Sequence, residues 1–405
     1  MSNDKLQNPK IFNSPVSLCI QQSSPRGLKS ESHILSKKIQ KIKKWHIIII
    51  LSFIFFVNCI PYIKRKEWEN TVRVAIECSV DYVKIRDHAF KNYDVSVHDT
   101  FPLYFGSRTG SVVVNDKQYR GALEVRKIEG RIWVINVVNV EDYLKGVVPC
   151  EIGSISMELI EAAKAQAVAA RTYAFAHLNQ YQDLGFDLYA TIQDQVYKGS
   201  QAEDDITTAA IMKTKGQILV FRNRPVEAKY HSTCGGRTAD FQDAWPGEAP
   251  PYLRSVRCQY CKNSPHYEWK KVQSQDRFLQ NVRHRLRKIG IKIPQHELIR
   301  SFRIIRNRRS KRVTTLVIVT NRSNYVVPGY SVRVVFGDAG DPGGSLKSNF
   351  ITIKQKGKTV TIEGKGYGHG VGMCQFGALE MARKGKNHRQ ILHHYYPGTR
   401  IKKIR

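Results

Sequence analysis

From residue 71 the chain alternates apolar and polar positions with a period of two, as in TVRVAIECSVDYVKIRD. That spacing predicts strands with one buried face. Further short β-runs follow as SVVVND, GALEVRKI and RIWVINVVNV, ending near Val140. Then the period changes. Residues 156–179 (SMELIEAAKAQAVAARTYAFAHLN) are Ala-rich without Gly or Pro, which predicts a helix. Ile160, Ala163, Ala167, Ala170 and Ala174 fall on one stripe, small enough for very close packing. After Asp183 come loops and the short strands QVYKG, GQILVF and VEAKYHSTCGG. A helix is predicted over 273–289, a β-rich section over 298–335, and a short helix near 375–384. Strands, a central Ala-rich helix and more strands, with no βαβ rhythm, predict a β-rich α+β fold.

The amino-terminal pattern is different. Residues 1–36 are Ser-, Gln- and Asn-rich, followed by Lys37, Lys38, Lys41, Lys43 and Lys44. Residues 45–60, WHIIIILSFIFFVNCI, are apolar, and Pro61, Lys64, Arg65 and Lys66 close the stretch. This predicts a disordered basic cytoplasmic tail (1–44), a membrane anchor or signal segment (45–63) and an exported domain over 71–400. The run is short for a span, so a cleaved signal peptide and a degraded lipoprotein box at Cys59 are alternatives. Each version exports the bulk of the chain across the cytoplasmic membrane.

Composition adds two constraints. A 405-residue chain that is 41% hydrophobic is long enough for one large domain or two smaller ones. Lys+Arg number 65 against 34 Asp+Glu, a net charge of +31, which attracts nucleic acid, lipid headgroups or anionic wall polymers alike. No helix-turn-helix, zinc-finger or RNA-recognition signature accompanies the charge, so nucleic acid is not an expected partner. The densest run, residues 300–312 (RSFRIIRNRRSKR), reads as a solvated basic hairpin or strand edge.

Three segments carry unusual chemistry. Residues 140–152 (VEDYLKGVVPCEI) deliver Glu151 just before the long helix, and AQAVAARTYA sets Arg171 on that helix's surface. Residues 364–378 (GKGYGHGVGMCQFGA) surround His369 with six glycines. Such density permits positive φ and close backbone approach. Taken singly, Glu151 reads as a solvated or capping carboxylate, and the glycine run as a tight turn feeding a helix.

Together the segments resemble the SpoIID/LytB family, which includes stage II sporulation protein D and amidase enhancers. The resemblance spans residues 71–397 and rests on V-x-V-E-D-Y-L-K-G-V-V-P-x-E, K-A-Q-A-V-A-A-R-T-Y-A, S-T-x-G-G-x-T and G-H-G-V-G-M-x-Q-x-G-A. It implies a peptidoglycan lytic transglycosylase that cleaves between N-acetylmuramic acid and N-acetylglucosamine without water. The family's catalytic Glu maps to Glu151 and its important Arg to Arg171, with Cys150 where Ser is usual. His369, Gly370 and Gln375 are the expected substrate-binding positions, and no cofactor is expected to be needed for catalysis. One carboxyl suffices if the sugar's own C6 hydroxyl is the attacker, whereas hydrolytic glycosidases need two. That demands a Glu protonated near neutral pH, yet a helix amino terminus and a nearby Arg171 would both favour the anion. Arg171 is therefore expected to face substrate rather than pair with Glu151. The rival reading is a non-catalytic enhancer that activates a partner amidase.

His231, Cys234, Cys258, Cys261 and His266 lie in HSTCGG and CQYCKNSPHY, a spacing compatible with a structural zinc or with a disulfide. Family zinc sites use Cys and His just before Q-V-Y-K-G, where this chain has Tyr189, Gln193 and Asp194, so that site is expected to be absent.

Overall fold

A computed structural model describes residues 70–404 apart from 339. The tail and anchor expected over 1–44 and 45–63 lie outside the described residues. Among the described residues no helix is long and apolar enough to cross a membrane.

The alternating segments form a twisted sheet from β1 (Thr71–Ser79), β2 (Tyr82–Arg86), β3 (Asn92–Ser96), β4 (Leu103–Val114), β5 (Lys117–Ile128) and β6 (Arg131–Asn139). With β7 (Leu188–Tyr189) the order is β3-β2-β4-β5-β6-β1-β7, antiparallel throughout except for the parallel β1–β7 pair. Val72, Val74, Leu123, Val125, Val134 and Val138 form the apolar inner face. Ala75, Trp133 and Ile135 point the other way and pack on Phe186 and Tyr189.

β6 runs directly into α1 (Val140–Ile152), a helix the strand-dominated reading did not anticipate. The Asn139 side chain caps it by accepting from the Glu141 N–H. Val140, Tyr143, Leu144, Val147 and Val148 recur at helical spacing and are buried. Pro149 lies inside the last turn, where it removes one backbone donor; Gly153, at φ 76°, closes the helix end with an N–H bond to the Pro149 carbonyl.

α2 (Ile160–Ala176) follows a 3₁₀ turn. Every residue from Ala165 to Ala174 is buried, so the helix has no solvent face, and not merely one packed stripe. Its small side chains let α1 and α3 (Asp205–Lys213) approach closely, with β8 (Gln217–Phe221) on another side. β9 (Arg224–Pro225) and the carboxy-terminal β18 (Arg400–Lys403) flank β8.

A second apolar core lies downstream. Phe278, Val282 and Leu286 of α4 (Gln275–Lys288) pack against Val313, Leu316 and Ile318. Those belong to the sheet β12 (Ile299–Arg306), β13 (Val313–Thr320) and β14 (Asn324–Pro328). A companion sheet pairs β11 (Glu268–Ser274) and β15 (Ile351–Lys356) on either side of β16 (Thr359–Lys365), and the one-turn helix α5 (Val332–Val335) packs in the same core. The basic run is the β12–β13 hairpin, with Arg300, Arg303, Arg308, Arg309 and Lys311 exposed. Arg312 departs from that reading: it is fully buried, donating to the Asn349 side chain and the Cys234 carbonyl.

The two cores meet around β10 (Tyr230–His231), which pairs in parallel with β17 (Met373–Cys374). The glycine-rich segment wraps residues 230–239, bridging Tyr367 to Thr233 and Val371 to Ala239. It then enters α6 (Gln375–Arg383), and α7 (His388–Tyr395) packs behind.

A candidate acid–base site

Glu151 occupies the last turn of α1 instead of preceding a helix start. This reverses the expected electrostatics, because the carboxy-terminal end of a helix carries partial negative charge and disfavours an anion. Burial pushes the Glu151 carboxyl up to about 7, against hydrogen bonds from the Val196 N–H, Gln375 and Tyr230 that pull it down. The Val196 N–H donates to its Oε1 at 3.0 Å. The residue as a whole is half-buried.

The wall around it is polar. Buried Gln195 donates from Nε2 to the Tyr230 hydroxyl oxygen (2.9 Å) and the Ala170 carbonyl (3.3 Å). Its Oε1 accepts from the Tyr143 hydroxyl at 3.2 Å. With Gln195 filling one lone pair, the Tyr230 O–H proton is left for Glu151. Gln375, the first residue of α6, reaches the same carboxyl and lies 3.5 Å from the Gln166 side chain of α2. The structure thus brings Glu151 and Gln375 together.

His369 and Gly370 stand slightly back. The His369 Nδ1 accepts from the Val371 N–H at 3.1 Å, and its ring packs on Trp245 (4.8 Å) and His231 (5.6 Å). Burial and the neighbouring His231 hold it neutral, well below the usual imidazole range, and it bonds the Tyr230 backbone. Gly370, at φ 85°, lies where a Cβ would meet the Arg312 guanidinium at 2.4 Å.

Gly372 is tighter still. At φ 72° its added Cβ would fall 1.9 Å from the Lys229 carbonyl. Gly372→Ala is expected to push β17 off β10 and cost about 2 kcal/mol or more. A denaturant titration checks this; an unchanged midpoint would contradict the packing.

Arg171 is not on the helix's surface. It is fully buried on α2 and forms a two-pronged pair with Glu141, Nε to Oε1 at 3.0 Å and Nη2 to Oε2 at 2.6 Å. Nη1 donates to the Gln217 carbonyl at 3.1 Å, so the side chain ties α2 to α1 and β8. Glu141, in the same motif as Glu151, was the unrecognised partner.

Sequence reasoning also missed Tyr230, Gln195 and the Val196 N–H, because Gln and Tyr carry no charge signature. Beside them the Lys229 ammonium sits over the rings of Tyr173 (4.9 Å) and Trp245 (5.2 Å). Burial pushes the Lys229 pKa down.

The cysteines regroup. Cys234, Cys258, Cys261 and Cys374 are all buried, with their sulfurs within 4.8 Å of one another. Cys374 was not a sequence candidate, being 140 residues from Cys234. The two histidines are not in the group: the His231 Nδ1 meets the Val371 carbonyl at 3.1 Å and the His266 ring packs on Tyr367. Before Q-V-Y-K-G, the Asp194 carboxylate accepts from the Tyr173 hydroxyl and the Tyr189 N–H, both at 2.9 Å.

Residues 128–221 match the family described as Stage II sporulation protein, and residues 258–372 match a domain of unknown function. Stage II sporulation protein D of Bacillus subtilis is 32% identical over 65% of this chain and 74% of its own length. An uncharacterised protein of Brachyspira hyodysenteriae is 33% identical over 71% and 73%. An amidase enhancer of Bacillus subtilis is 28% identical over 64% of this chain but 40% of its own length.

Proposed function

Since the chain belongs to the stage II sporulation protein D family, we propose that it cleaves peptidoglycan glycan strands as a lytic transglycosylase, with Glu151 carrying the proton. The observation that supports this most is the Glu151 carboxyl, held up to about 7 by burial and facing Tyr230 and, from the glycine-rich motif, Gln375. Near neutral pH a large share of Glu151 is protonated and gives its proton to the glycosidic oxygen as the C1–O bond breaks. The muramyl C6 hydroxyl attacks C1, and the Glu151 carboxylate takes that hydroxyl's proton. An anhydro-muramyl end forms, no water is consumed, and Glu151 is restored. These steps use no metal. Tyr230 and the Val196 N–H steady the anion between the two transfers, while half-buried Lys229 and Trp245 offer charge and stacking to a sugar chain. An amino-terminal membrane anchor would hold this domain on the outer side of the cytoplasmic membrane, against the wall.

Because the free enzyme's acid titrates near 7, kcat/KM for glycan cleavage should fall about tenfold per pH unit well above that value. A pH–rate profile checks it, and a flat profile to pH 9 would contradict the role of Glu151.

The amidase enhancer relative favours a second reading, in which the same cleft binds wall glycan and activates a partner amidase. Incubating the purified protein alone with peptide-free glycan strands separates the two. The enzyme releases soluble fragments unaided. An enhancer releases none, and its Glu151→Gln variant stimulates an amidase as well as the wild type does.

A further inference from the structure

We propose that Cys234, Cys258, Cys261 and Cys374 bind one zinc ion that fixes the wall of the Glu151 site. Tetrahedral zinc with Zn–S bonds of about 2.3 Å needs sulfurs roughly 3.8 Å apart. The four sulfurs here all lie within 4.8 Å of one another, and the Cys234 and Cys261 sulfurs are 3.4 Å apart. Cys258 and Cys261 form the C-x-x-C half, and Cys234 and Cys374 complete the set from two other segments.

The surroundings suit thiolates. The Cys374 Sγ accepts from the Cys234 N–H (3.3 Å) and the Gly377 N–H (3.4 Å), while the Tyr395 hydroxyl lies 3.3 Å from the Cys258 Sγ. Cys374 is also the N-cap of α6, where partial positive charge favours an anion. Arg312 supplies a second, independent observation. Its guanidinium is fully buried against the Cys234 carbonyl, and its Nε has no hydrogen-bond partner. A zinc tetrathiolate carries two negative charges, which offset a buried cation that is otherwise costly.

The consequence is positional. Cys374 immediately precedes Gln375, which reaches Glu151, and Cys234 follows β10, which carries Tyr230. The metal therefore clips the two segments that form the carboxyl's wall, while the chemistry stays with Glu151. The residues involved differ from the expected set: Cys374 enters, and His231 and His266 leave.

The test is elemental analysis of the full-length protein purified without chelator. One zinc per chain is expected, released by a mercurial thiol reagent, and Cys261→Ser and Cys374→Ser should each reduce it at least tenfold. Cys150→Ser, outside the cluster, should retain it. Should the cysteine variants fail to fold, cobalt loading of the wild type serves instead. Tetrahedral thiolate-to-cobalt charge-transfer absorption supports the site. Removing zinc should lower the melting temperature by about 10 °C or more. Metal-free protein that takes up no cobalt under reducing conditions, iron in place of zinc, or peptide mapping that finds these cysteines in disulfides would each overturn it. None of these readouts depends on glycan cleavage.

Discussion

Glu151→Gln is expected to lose glycan cleavage by about 10²- to 10⁴-fold, the usual size of a lost acid–base group, while becoming more stable at alkaline pH. The sign follows from the direction of the shift. The folded carboxyl titrates near 7, above its ordinary 4.5, so the folded state holds its proton more tightly than the unfolded state. Below about 4.5 both states are protonated and the site costs nothing. Between 4.5 and 7 the cost accumulates, and above 7 it is complete, at most roughly 3 kcal/mol and less where solvent reaches the carboxyl. Gln cannot ionise, so it removes that cost. Wild type and variant should melt together at pH 4 and diverge at pH 8.5, with the variant higher. Equal melting points at pH 8.5 would show an ordinary surface carboxylate at this position.

Arg171→Ala should have the largest effect on stability. It strands the Glu141 carboxylate and leaves the Gln217 carbonyl without its Arg171 donor. Breaking one side of a buried ion pair costs about 3–5 kcal/mol. Arg171→Lys keeps the charge but lacks the planar fork, and should recover less than half. Glu141→Gln should mimic much of the loss. Urea titrations measure all three. A folded, fully stable Arg171→Ala with impaired cleavage would instead restore the surface, substrate-facing role.

Much of this architecture is legible as pattern. Period-two alternation marks β1 and β6, the Gly- and Pro-free Ala run marks α2, and the helices read over 273–289 and 375–384 run Gln275–Lys288 and Gln375–Arg383. α1 escaped because Val-rich β6 passes into Val-rich α1 without a break in hydrophobicity. Only the change in spacing to Val140, Tyr143, Leu144, Val147 separates them. That boundary matters, since it moves Glu151 from a helix start, which would lower its pKa, to a helix end, where burial and the helix's partial negative charge act in the same direction. The sequence places Arg171 and Arg312 on exposed faces because their burial depends on partners 30 residues and more away: Glu141 for Arg171, Cys234 and Asn349 for Arg312. Cys374 was likewise hidden inside a glycine motif that drew attention to His369.

The origin of the oxygen at the new chain end tests the acid–base account most directly. Peptide-free glycan strands are digested by the purified protein in ¹⁸O-labelled water, and the products are weighed by mass spectrometry. Attack by the sugar's own C6 hydroxyl predicts anhydro-muramyl ends that contain no label, and none at all from Glu151→Gln. Reducing ends carrying one ¹⁸O would mean that water is the nucleophile, which a single carboxyl passing one proton between two sugar oxygens does not explain.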